Sequence, residues 1–315
     1  MIFLASIAFI ACFSNVSAQS ETEYDSLLVI RTPYVYSASL NKDSLIEKLS
    51  LQIAGSTNPS VLYYQRGITY FLKGQYDFAF NDFSTAIEGN SGYVEAWANR
   101  GLTCYVISNP KNGIYDLDKA LELDDKLAKA YFIRGMCYDM NKNFNAALID
   151  YNRSIEMQPN NPEPYFFRAI SFESQKQYDK AITDYSTVIA LRPKEADAYV
   201  ERALVYDQAG ILDKAMADFD KVIQMFPDNV DALFNRARLK DKLKDNAGAV
   251  SDYQKVTKLE PENQEAYFLL AIDFDILKKN QEALDAYKSF IKYASALDSK
   301  DIKYANKRIK ALEKN

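Results

Sequence analysis

The 315-residue chain has no histidine, only three cysteines, and ten glycines that form no phosphate-binding loop of the P-loop or dinucleotide type. Without an imidazole there is no histidine general base, no histidine-containing triad and no histidine metal ligand. Two or three separated cysteines do not make a zinc cluster. We therefore expect no catalytic residues, no metal site, no cofactor and no small-molecule substrate.

Acidic residues outnumber basic ones, with 43 Asp and Glu against 38 Lys and Arg and a formal net charge of −5 at pH 7. A protein that binds a phosphate backbone needs clustered Lys and Arg side chains. We therefore expect no nucleic acid among the partners of this chain.

An apolar run, IFLASIAFIACF, covers residues 2–13 and is followed by Val16, Ser17 and Ala18. Small residues at this spacing are typical of a signal peptidase site, so we predict a secretory signal at residues 1–18. The mature chain would then lie in the periplasm, in the cell envelope or outside the cell. The alternative is a buried or lipid-spanning helix, although the run is shorter than the roughly 20 residues that a span requires. No Lys or Arg precedes Arg31, so the usual positive start of a signal is missing.

The three residues before Cys12 are Phe-Ile-Ala, which loosely resemble the lipobox of bacterial lipoproteins. The alternative location is therefore that of a lipoprotein, and we expect membrane association only if Cys12 carries a lipid. Once the leader is removed, Cys104 and Cys137 remain. Both lie at core-facing positions of adjacent repeats, so we predict that they are buried free thiols. The alternative is a disulfide, which an oxidising compartment permits but which requires α-carbons within about 7 Å, a distance that the sequence does not give.

A 34-residue unit recurs seven times from Ser60 to Leu297 without insertion or deletion. The units are 60–93, 94–127, 128–161, 162–195, 196–229, 230–263 and 264–297. Positions 8 and 20 of the unit are always small, and positions 11 and 24 are usually aromatic. Position 4 is aromatic in six units: Tyr63, Trp97, Tyr131, Tyr165, Tyr199 and Tyr267. Position 32 is proline in four successive units, where it would end a helix: Pro159, Pro193, Pro227 and Pro261.

This pattern of aromatic, small and proline positions resembles the tetratricopeptide repeat (TPR) family. The resemblance implies an all-α fold, a right-handed superhelical solenoid of antiparallel helix pairs, with the first helix of each pair on the concave wall. It also implies a non-enzymatic platform for other proteins.

The flanking segments are predicted to differ from the repeats. Residues 19–41 have no sustained period and are predicted to be a tether. Residues 42–59 are predicted to contain an N-terminal capping helix with Asp43 as its N-cap and Gly55 as its stop. Residues 298–315 are predicted to form a C-terminal capping helix, which a soluble solenoid needs at its open end. Because this last helix is basic and amphipathic, binding to an acidic membrane surface is the alternative.

Position 7 is arginine and position 23 is aspartate in the same six units, and both charges are absent from the seventh, which has Leu270 and Ala286. Pairing within each repeat leaves no charge unpaired, whereas pairing between neighbouring repeats would. We therefore predict six Arg–Asp bridges within repeats, as architecture and not as a ligand site.

Positions 2, 5, 9 and 12 share one face of the first helix, and the resemblance places this face in the concave groove. The predicted apolar floor consists of Tyr64, Phe132, Phe166, Phe234 and Phe268 at position 5 and of Leu102, Met136, Ile170 and Leu204 at position 9. The predicted acidic edges consist of Glu163, Asp197 and Asp231 at position 2 and of Asp207 and Asp241 at position 12. Such a groove suits a protein or peptide that carries apolar anchors and basic residues. The alternative is that the apolar residues pack between helices and the acids only solvate the surface.

Two functions are consistent with these features. The first is a protein–protein interaction scaffold, or adaptor, that binds a peptide or protein segment in its concave groove. The second is a structural subunit of an envelope assembly or secretion complex, which would use its convex face or its ends.

Overall fold

The computed structural model describes residue 28, residues 41–294 and residues 300–314. Over these residues the chain forms sixteen α-helices and no strand, which confirms an all-α repeat fold. None of the described helices combines the length and the apolar character needed to cross a membrane. The chain divides into two compact units, residues 1–192 (unit 1) and residues 193–315 (unit 2).

Unit 1 contains one single helix followed by four helix pairs. The single helix is α1 (Lys42–Ala54). The pairs are α2 (Ser60–Phe71) with α3 (Tyr76–Gly89), α4 (Val94–Val106) with α5 (Pro110–Leu123), α6 (Ala128–Met140) with α7 (Phe144–Met157), and α8 (Pro162–Ser174) with α9 (Tyr178–Leu191).

Unit 2 contains three helix pairs followed by one single helix. The pairs are α10 (Ala196–Gln208) with α11 (Leu212–Met225), α12 (Val230–Lys242) with α13 (Asn246–Leu259), and α14 (Gln264–Ile276) with α15 (Asn280–Tyr293). The single helix is α16 (Lys300–Leu312).

Small residues at position 8 let the two helices of a pair approach closely. A Cβ atom built on Gly135 in α6 would lie only 2.6 Å from Tyr151 Cε1 in α7, which is closer than van der Waals contact allows. The aromatic ring at position 24 therefore packs directly on the backbone of the first helix. This contact explains why the sequence pairs a small position with an aromatic one.

The turn between the two helices uses the same backbone geometry in all seven repeats. Position 15 has a positive φ between 58° and 77° at Gly74, Ser108, Lys142, Lys176, Gly210, Lys244 and Lys278. Only two of these residues are glycine, although an L side chain in this region costs about 1–2 kcal/mol. The following amide donates to the carbonyl of position 11, as in Asn143 N to Tyr138 O at 2.8 Å, and so ends the first helix.

The six predicted Arg–Asp bridges are confirmed. In each repeat the guanidinium donates through Nε and Nη2 to both carboxylate oxygens of the aspartate sixteen residues later. The pairs are Arg66–Asp82, Arg100–Asp116, Arg134–Asp150, Arg168–Asp184, Arg202–Asp218 and Arg236–Asp252, all at 2.6–2.8 Å. The aspartates are buried, so the bidentate geometry satisfies charges that would otherwise be costly.

The arginines also connect consecutive second helices, which the sequence analysis did not anticipate. Nη1 of Arg134 donates to Asp118 Oδ1 of the preceding repeat at 2.7 Å, and Nη1 of Arg236 donates to Asp220 Oδ1 at 2.7 Å. Arg100 reaches Ser84 Oγ in the same way at 3.0 Å. Each of these three guanidinium groups therefore joins its own helix pair to the second helix before it.

The single helix α1 continues the repeat pattern as an isolated second helix. Its Ser50 Oγ accepts a hydrogen bond of 2.9 Å from Arg66 Nη1, the role that Ser84 has for Arg100. The predicted N-cap is corrected: Asn41, not Asp43, caps α1, since Asn41 Oδ1 accepts from the amides of Asp43 and Ser44. Asn41 has the extended backbone of an N-cap, whereas Asp43 already lies inside the helix.

The helix α16 continues the pattern as an isolated first helix. Its Ala305 is buried and lies 34 residues after Ala271, so it occupies position 8. Arg308 donates to both carboxylate oxygens of Asp275 at 2.7 and 2.8 Å. This bidentate pair fixes α16 against α14.

Several predictions fall outside the described residues. These are the leader at residues 1–18, most of the tether at 19–41, residues 295–297 of the last repeat, and residues 298, 299 and 315 of the final segment. The prediction for the cysteines is confirmed, because Cys104 and Cys137 are free and buried.

Candidate protein-binding face

The three predicted floor residues at position 5 of unit 1 are buried side chains. Tyr64, Phe132 and Phe166 have almost no exposed surface. The Phe132 ring packs 5.3 Å from Phe167 and 6.0 Å from Tyr151, and Phe166 packs 5.1 Å from Tyr185. The prediction that Tyr64, Phe132 and Phe166 form an accessible groove floor is therefore wrong. Neighbouring aromatic rings enclose these side chains, which offer no surface to a partner.

The predicted floor residues at position 9 divide into two groups. Leu102 and Met136 are buried and are likewise corrected as accessible groove residues, whereas Ile170 and Leu204 are partly exposed. Position 9 of α12 is Arg238, an exposed cation that interrupts the apolar stripe. Position 9 therefore recurs in every repeat, but it is not apolar in every repeat.

The two predicted aromatic residues of unit 2 are partly exposed. Phe234 packs its ring 5.7 Å from Tyr253 in the second helix of its own pair. Phe268 lies 4.9 Å from Phe290 and 6.2 Å from Tyr304 of α16. The terminal helix therefore places the Tyr304 ring beside Phe268.

The predicted acids at position 12 have structural partners. Asp241 Oδ2 accepts a hydrogen bond of 2.8 Å from the Tyr253 hydroxyl, and Asp207 Oδ1 forms an ion pair of 2.7 Å with Lys242 Nζ. The hydroxyl of Tyr151 donates to Asp139 in the same way, and that of Tyr287 donates to Asp275. An aspartate at position 12 therefore accepts a hydrogen bond from position 24 in each repeat where position 24 is tyrosine, and the paired occurrence of these two residue types in the sequence is a signal of the contact.

The predicted acids at position 2 lie at the start of the first helices. Glu163 and Asp197 are partly exposed and Asp231 is exposed. Glu163 Oε1 lies 3.7 Å from Arg192 Nη2, so part of the predicted acidic edge in unit 1 is neutralised. In unit 2 the exposed Asp231 retains its position beside Phe234, one helical turn away on the same face.

Six partly or fully exposed residues of α10 and α12 form what we call the unit 2 face: Asp197, Leu204, Asp207, Asp231, Phe234 and Arg238. The ion pair from Lys242 in α12 to Asp207 in α10 holds the two first helices of this face together. The face combines apolar side chains with charges of both signs. It is chemically suited to an amphipathic segment and not to a single small polar ligand.

The acidic residues of this face belong to a set that recurs along the array. Within residues 28, 41–294 and 300–314, no three Cys, Asp or Glu residues converge in a group that could hold a metal ion. The acids recur with the repeat period and bond to tyrosines, lysines or arginines of the array. Their arrangement is that of repeated structural contacts.

Models of the tetratricopeptide repeat match residues 128–161, 168–230 and 234–299, which together exceed half of the chain. Among solved structures, yeast Tom70 matches with a TM-score of 0.58 and 20% identity over 99% of this chain and 70% of that chain. PilF of Pseudomonas aeruginosa matches with a TM-score of 0.56 and 17% identity over 67% of this chain and 96% of that chain. MamA is 28% identical with a TM-score of 0.48, over 50% of this chain and 93% of that chain.

At such identities Tom70 and PilF share the fold with this chain, and the fold alone does not transfer a function. A comparison with the curated proteins gave no match. The repeat pattern, the helix pairs and the matching repeat models agree, and the chain belongs to the tetratricopeptide repeat family.

Proposed function

We propose that this protein is a non-enzymatic scaffold that binds a segment of another protein on the unit 2 face. The observation that carries the proposal is the partial exposure of Leu204 and Phe234 on two linked first helices. Partly exposed apolar side chains beside charged residues are the usual composition of a protein-binding surface.

The chemistry of the unit 2 face defines the partner. Leu204 and Phe234 would accept apolar anchors, and Asp197 and Asp231 would attract Lys or Arg residues that flank them. An extended or helical segment with both features is therefore the proposed ligand. Because the acids are partly or fully exposed, raising the salt concentration should weaken binding by screening them.

The experiment selects random twelve-residue peptides displayed on phage against the parent chain and then measures the selected peptides by calorimetry. We expect enriched peptides to carry apolar anchors with Lys or Arg, and to lose at least tenfold in affinity to chains with Leu204→Ala or Phe234→Ala. Matched controls are Leu259→Ala and Phe226→Ala, which truncate partly exposed apolar residues at the ends of second helices α13 and α11. Equal loss in the controls and the face variants would contradict the proposal.

A second candidate function is a structural subunit that assembles through its second helices. It rests on exposed apolar residues of unit 1: Phe78 in α3 is 58% exposed, Tyr115 in α5 is 55% exposed and Ile149 in α7 is 68% exposed. Tyr115 and Ile149 occupy the same position of consecutive repeats. If Tyr115→Ser with Ile149→Ser abolishes co-purification of an envelope complex while Leu204→Ala and Phe234→Ala leave it intact, this candidate replaces the first.

We also propose that the mature protein acts outside the cytoplasm, either free or anchored by lipid. Support comes from the sequence of residues 1–18 alone. The amino-terminal sequence of the protein isolated from its native host tests this, with Gln19 expected for a soluble product. A lipidated Cys12, lost with Cys12→Ala, would instead establish the lipoprotein, and an intact residue 1 would contradict both forms.

A further inference from the structure

Position 9 of the first helix is not buried to the same degree along the array. It is buried in α2, α4 and α6, at Ile68, Leu102 and Met136, and partly exposed in α8, α10 and α14, at Ile170, Leu204 and Ile272. Helix pairs of one geometry should expose equivalent positions to a similar extent. On this face of the first helices, Ile68, Leu102 and Met136 are therefore more enclosed than the equivalent residues Ile170, Leu204 and Ile272.

Leu28 is the described residue that lies on this face. Its side chain is only 4% exposed, although it belongs to the stretch predicted as a tether. Its carbonyl oxygen accepts a hydrogen bond of 3.1 Å from Lys129 Nζ, 101 residues further along the chain. Lys129 is in α6, and Ile133 and Met136 follow it by four and seven residues. All three therefore share one face of that helix.

Lys129 is the one cation among the residues at position 2. The other six repeats carry Val61, Glu95, Glu163, Asp197, Asp231 and Glu265 there. Burial lowers the pKa of the Lys129 ammonium, and the nearby Glu163 opposes that effect. A lysine in such a setting gains from donating to a carbonyl oxygen, which is a contact to the main chain and does not depend on the side chain of the bound residue.

The distance along the chain permits an intramolecular contact. Thirteen residues lead from Leu28 to Asn41 at the start of α1, and an extended segment of that length spans at most about 45 Å. A segment tethered in this way has an effective concentration in the millimolar range. The first-helix face of the same chain therefore meets Leu28 at a much higher effective concentration than that of a dilute partner protein.

We propose that the face of α6 that carries Lys129, Ile133 and Met136 is a binding site for an aliphatic anchor, and that Leu28 of the same chain is its resident ligand. Leu28 is the apolar anchor, and Lys129 holds the carbonyl of that residue. The inference rests on the proposed function, since it assigns to unit 1 a ligand of the class that the unit 2 face would take from another protein. A partner segment with an aliphatic anchor binds unit 1 only by displacing Leu28.

The test uses a fluorescent peptide of residues 22–34 and the full-length chain. Fluorescence anisotropy measures its affinity for the parent, for Leu28→Asp, and for Leu28→Asp combined with Lys129→Ala. We expect the peptide to bind the Leu28→Asp chain at least tenfold more tightly than the parent, because an aspartate cannot occupy an apolar site and leaves it vacant. Adding Lys129→Ala should weaken that binding several-fold.

One matched control removes a lysine outside the proposed site, and the other alters the peptide. Lys126→Ala removes an exposed lysine in the loop before α6 and should leave the affinity unchanged, and a peptide with aspartate in place of its own leucine 28 should not bind. The milder Leu28→Ala should give an intermediate gain in affinity. Circular dichroism verifies that all chains are equally helical.

Equal peptide affinity for the parent and the Leu28→Asp chain would overturn the proposal, and so would the absence of binding to the Leu28→Asp chain. If the parent sediments as a dimer and Leu28→Asp makes it monomeric, the occupant is a second copy and the intramolecular assignment is wrong. Failure of the two proposals can be told apart. The peptide reports on Leu28 and Lys129 in unit 1, whereas the phage-selected ligands report on Leu204 and Phe234 in unit 2.

Discussion

Ser171 in α8 donates a hydrogen bond of 3.0 Å from its Oγ to Asp139 Oδ1 in α6. It joins position 10 of one first helix to position 12 of the preceding first helix. The Tyr151 hydroxyl donates to the other oxygen of Asp139 at 2.8 Å. Both carboxylate oxygens of a largely buried acid are thus satisfied, one from each side.

Three repeats further along the chain, Asp273 takes the place of Ser171 opposite Asp241. Asp273 is only 2% exposed, its Oδ1 accepts from Asn246 Nδ2 at 2.7 Å, and Asp241 Oδ2 accepts from the Tyr253 hydroxyl at 2.8 Å. The remaining oxygens, Asp241 Oδ1 and Asp273 Oδ2, are buried and have no other acceptor or donor beside them. Two facing carboxyl groups can share a hydrogen bond only when one of them is protonated, so a protonated Asp273 would take the role that Ser171 has opposite Asp139.

The first prediction concerns the pH dependence of unit 2. Burial raises the pKa of Asp273 to about 7, and the charge of the adjacent Asp241 adds to this effect. A raised carboxyl pKa contributes stability that is present below about pH 4 and is lost as the pH rises through 7. Each pH unit in that window removes up to about 1.4 kcal/mol. Urea unfolding of the parent should therefore show lower stability at pH 8 than at pH 5.

The variant Asp273→Ser should remove the share of that pH dependence that Asp273 causes, because a serine hydroxyl donates to Asp241 at every pH in this range. Burial also raises the pKa of Asp139 to about 7, so Asp139 in unit 1 keeps a contribution of the same sign in the variant. The groups that face the pair are Arg238 and Asp245 besides Asn246 and Tyr253. A matched control is Asp228→Asn at an exposed loop position, which should leave the pH profile unchanged. If Asp273→Ser has the same pH profile as the parent, Asp273 is not the titrating group.

The second prediction concerns the Arg168–Asp184 bridge. Asp184→Ala or Arg168→Leu alone leaves a largely buried charge without its main partner and should cost about 3–5 kcal/mol. The double variant recreates the Leu270 and Ala286 combination of the seventh repeat and should cost clearly less than the sum of the singles. Urea denaturation of the four chains measures this coupling. Additive losses would show that the bridge is not a pairwise interaction.

The third prediction concerns the backbone at position 15. Lys142→Gly and Lys176→Gly should each raise the free energy of unfolding by roughly 0.5–1 kcal/mol, because glycine adopts a positive φ without the Cβ clash. Gly74→Ala should lower it by about 1 kcal/mol, although no atom lies within 4 Å of the added methyl group. Thermal unfolding measures these changes. Lys194→Gly, at an exposed loop residue without a positive φ, should bring no gain, and a gain there equal to that of Lys142→Gly would refute the explanation.

The fourth prediction concerns the thiols. Burial raises the pKa of Cys104 to about 12, with a contribution from the nearby Asp116, and burial also raises the pKa of Cys137. At pH 8 both should therefore resist iodoacetamide in the folded chain and react fully in urea, because the thiolate is the nucleophile. Peptide mass spectrometry assigns the labels. Rapid labelling of the folded chain would contradict the burial, and labelling that requires a reductant would reveal a disulfide.

Predictions that depended on the repeat period were the successful ones. The pairing of Arg66 with Asp82, and of the five equivalent pairs, followed from the joint loss of both charges in the seventh repeat. The helix pairs followed from small residues such as Gly135 opposite aromatics such as Tyr151. Comparing equivalent positions among the repeats predicted these contacts, because each repeat contains the same local contact and the residues at its two positions change together.

Predictions about which side chains reach solvent were less successful. Phe132 and Phe166 have the spacing of a groove floor, but the neighbouring Phe167, Tyr151 and Tyr185 enclose them. Asp241 has the spacing of an acidic edge, but a tyrosine and a second aspartate engage it. Helical spacing assigns a residue to a face of its own helix and carries no information on what the next helix places against that face.

The sequence by itself determined the all-α repeat fold, the length and phase of the repeat and the six Arg–Asp ion pairs, because each depends on contacts that recur at a fixed separation along the chain. Only the tertiary structure decided that α1 and α16 continue the repeat as half-units, that Asp273 faces Asp241, and that Leu28 lies on Lys129. The chemistry of these contacts differs from that of their equivalents in other repeats, or involves a residue outside the repeats such as Leu28, so the sequence pattern alone does not identify them.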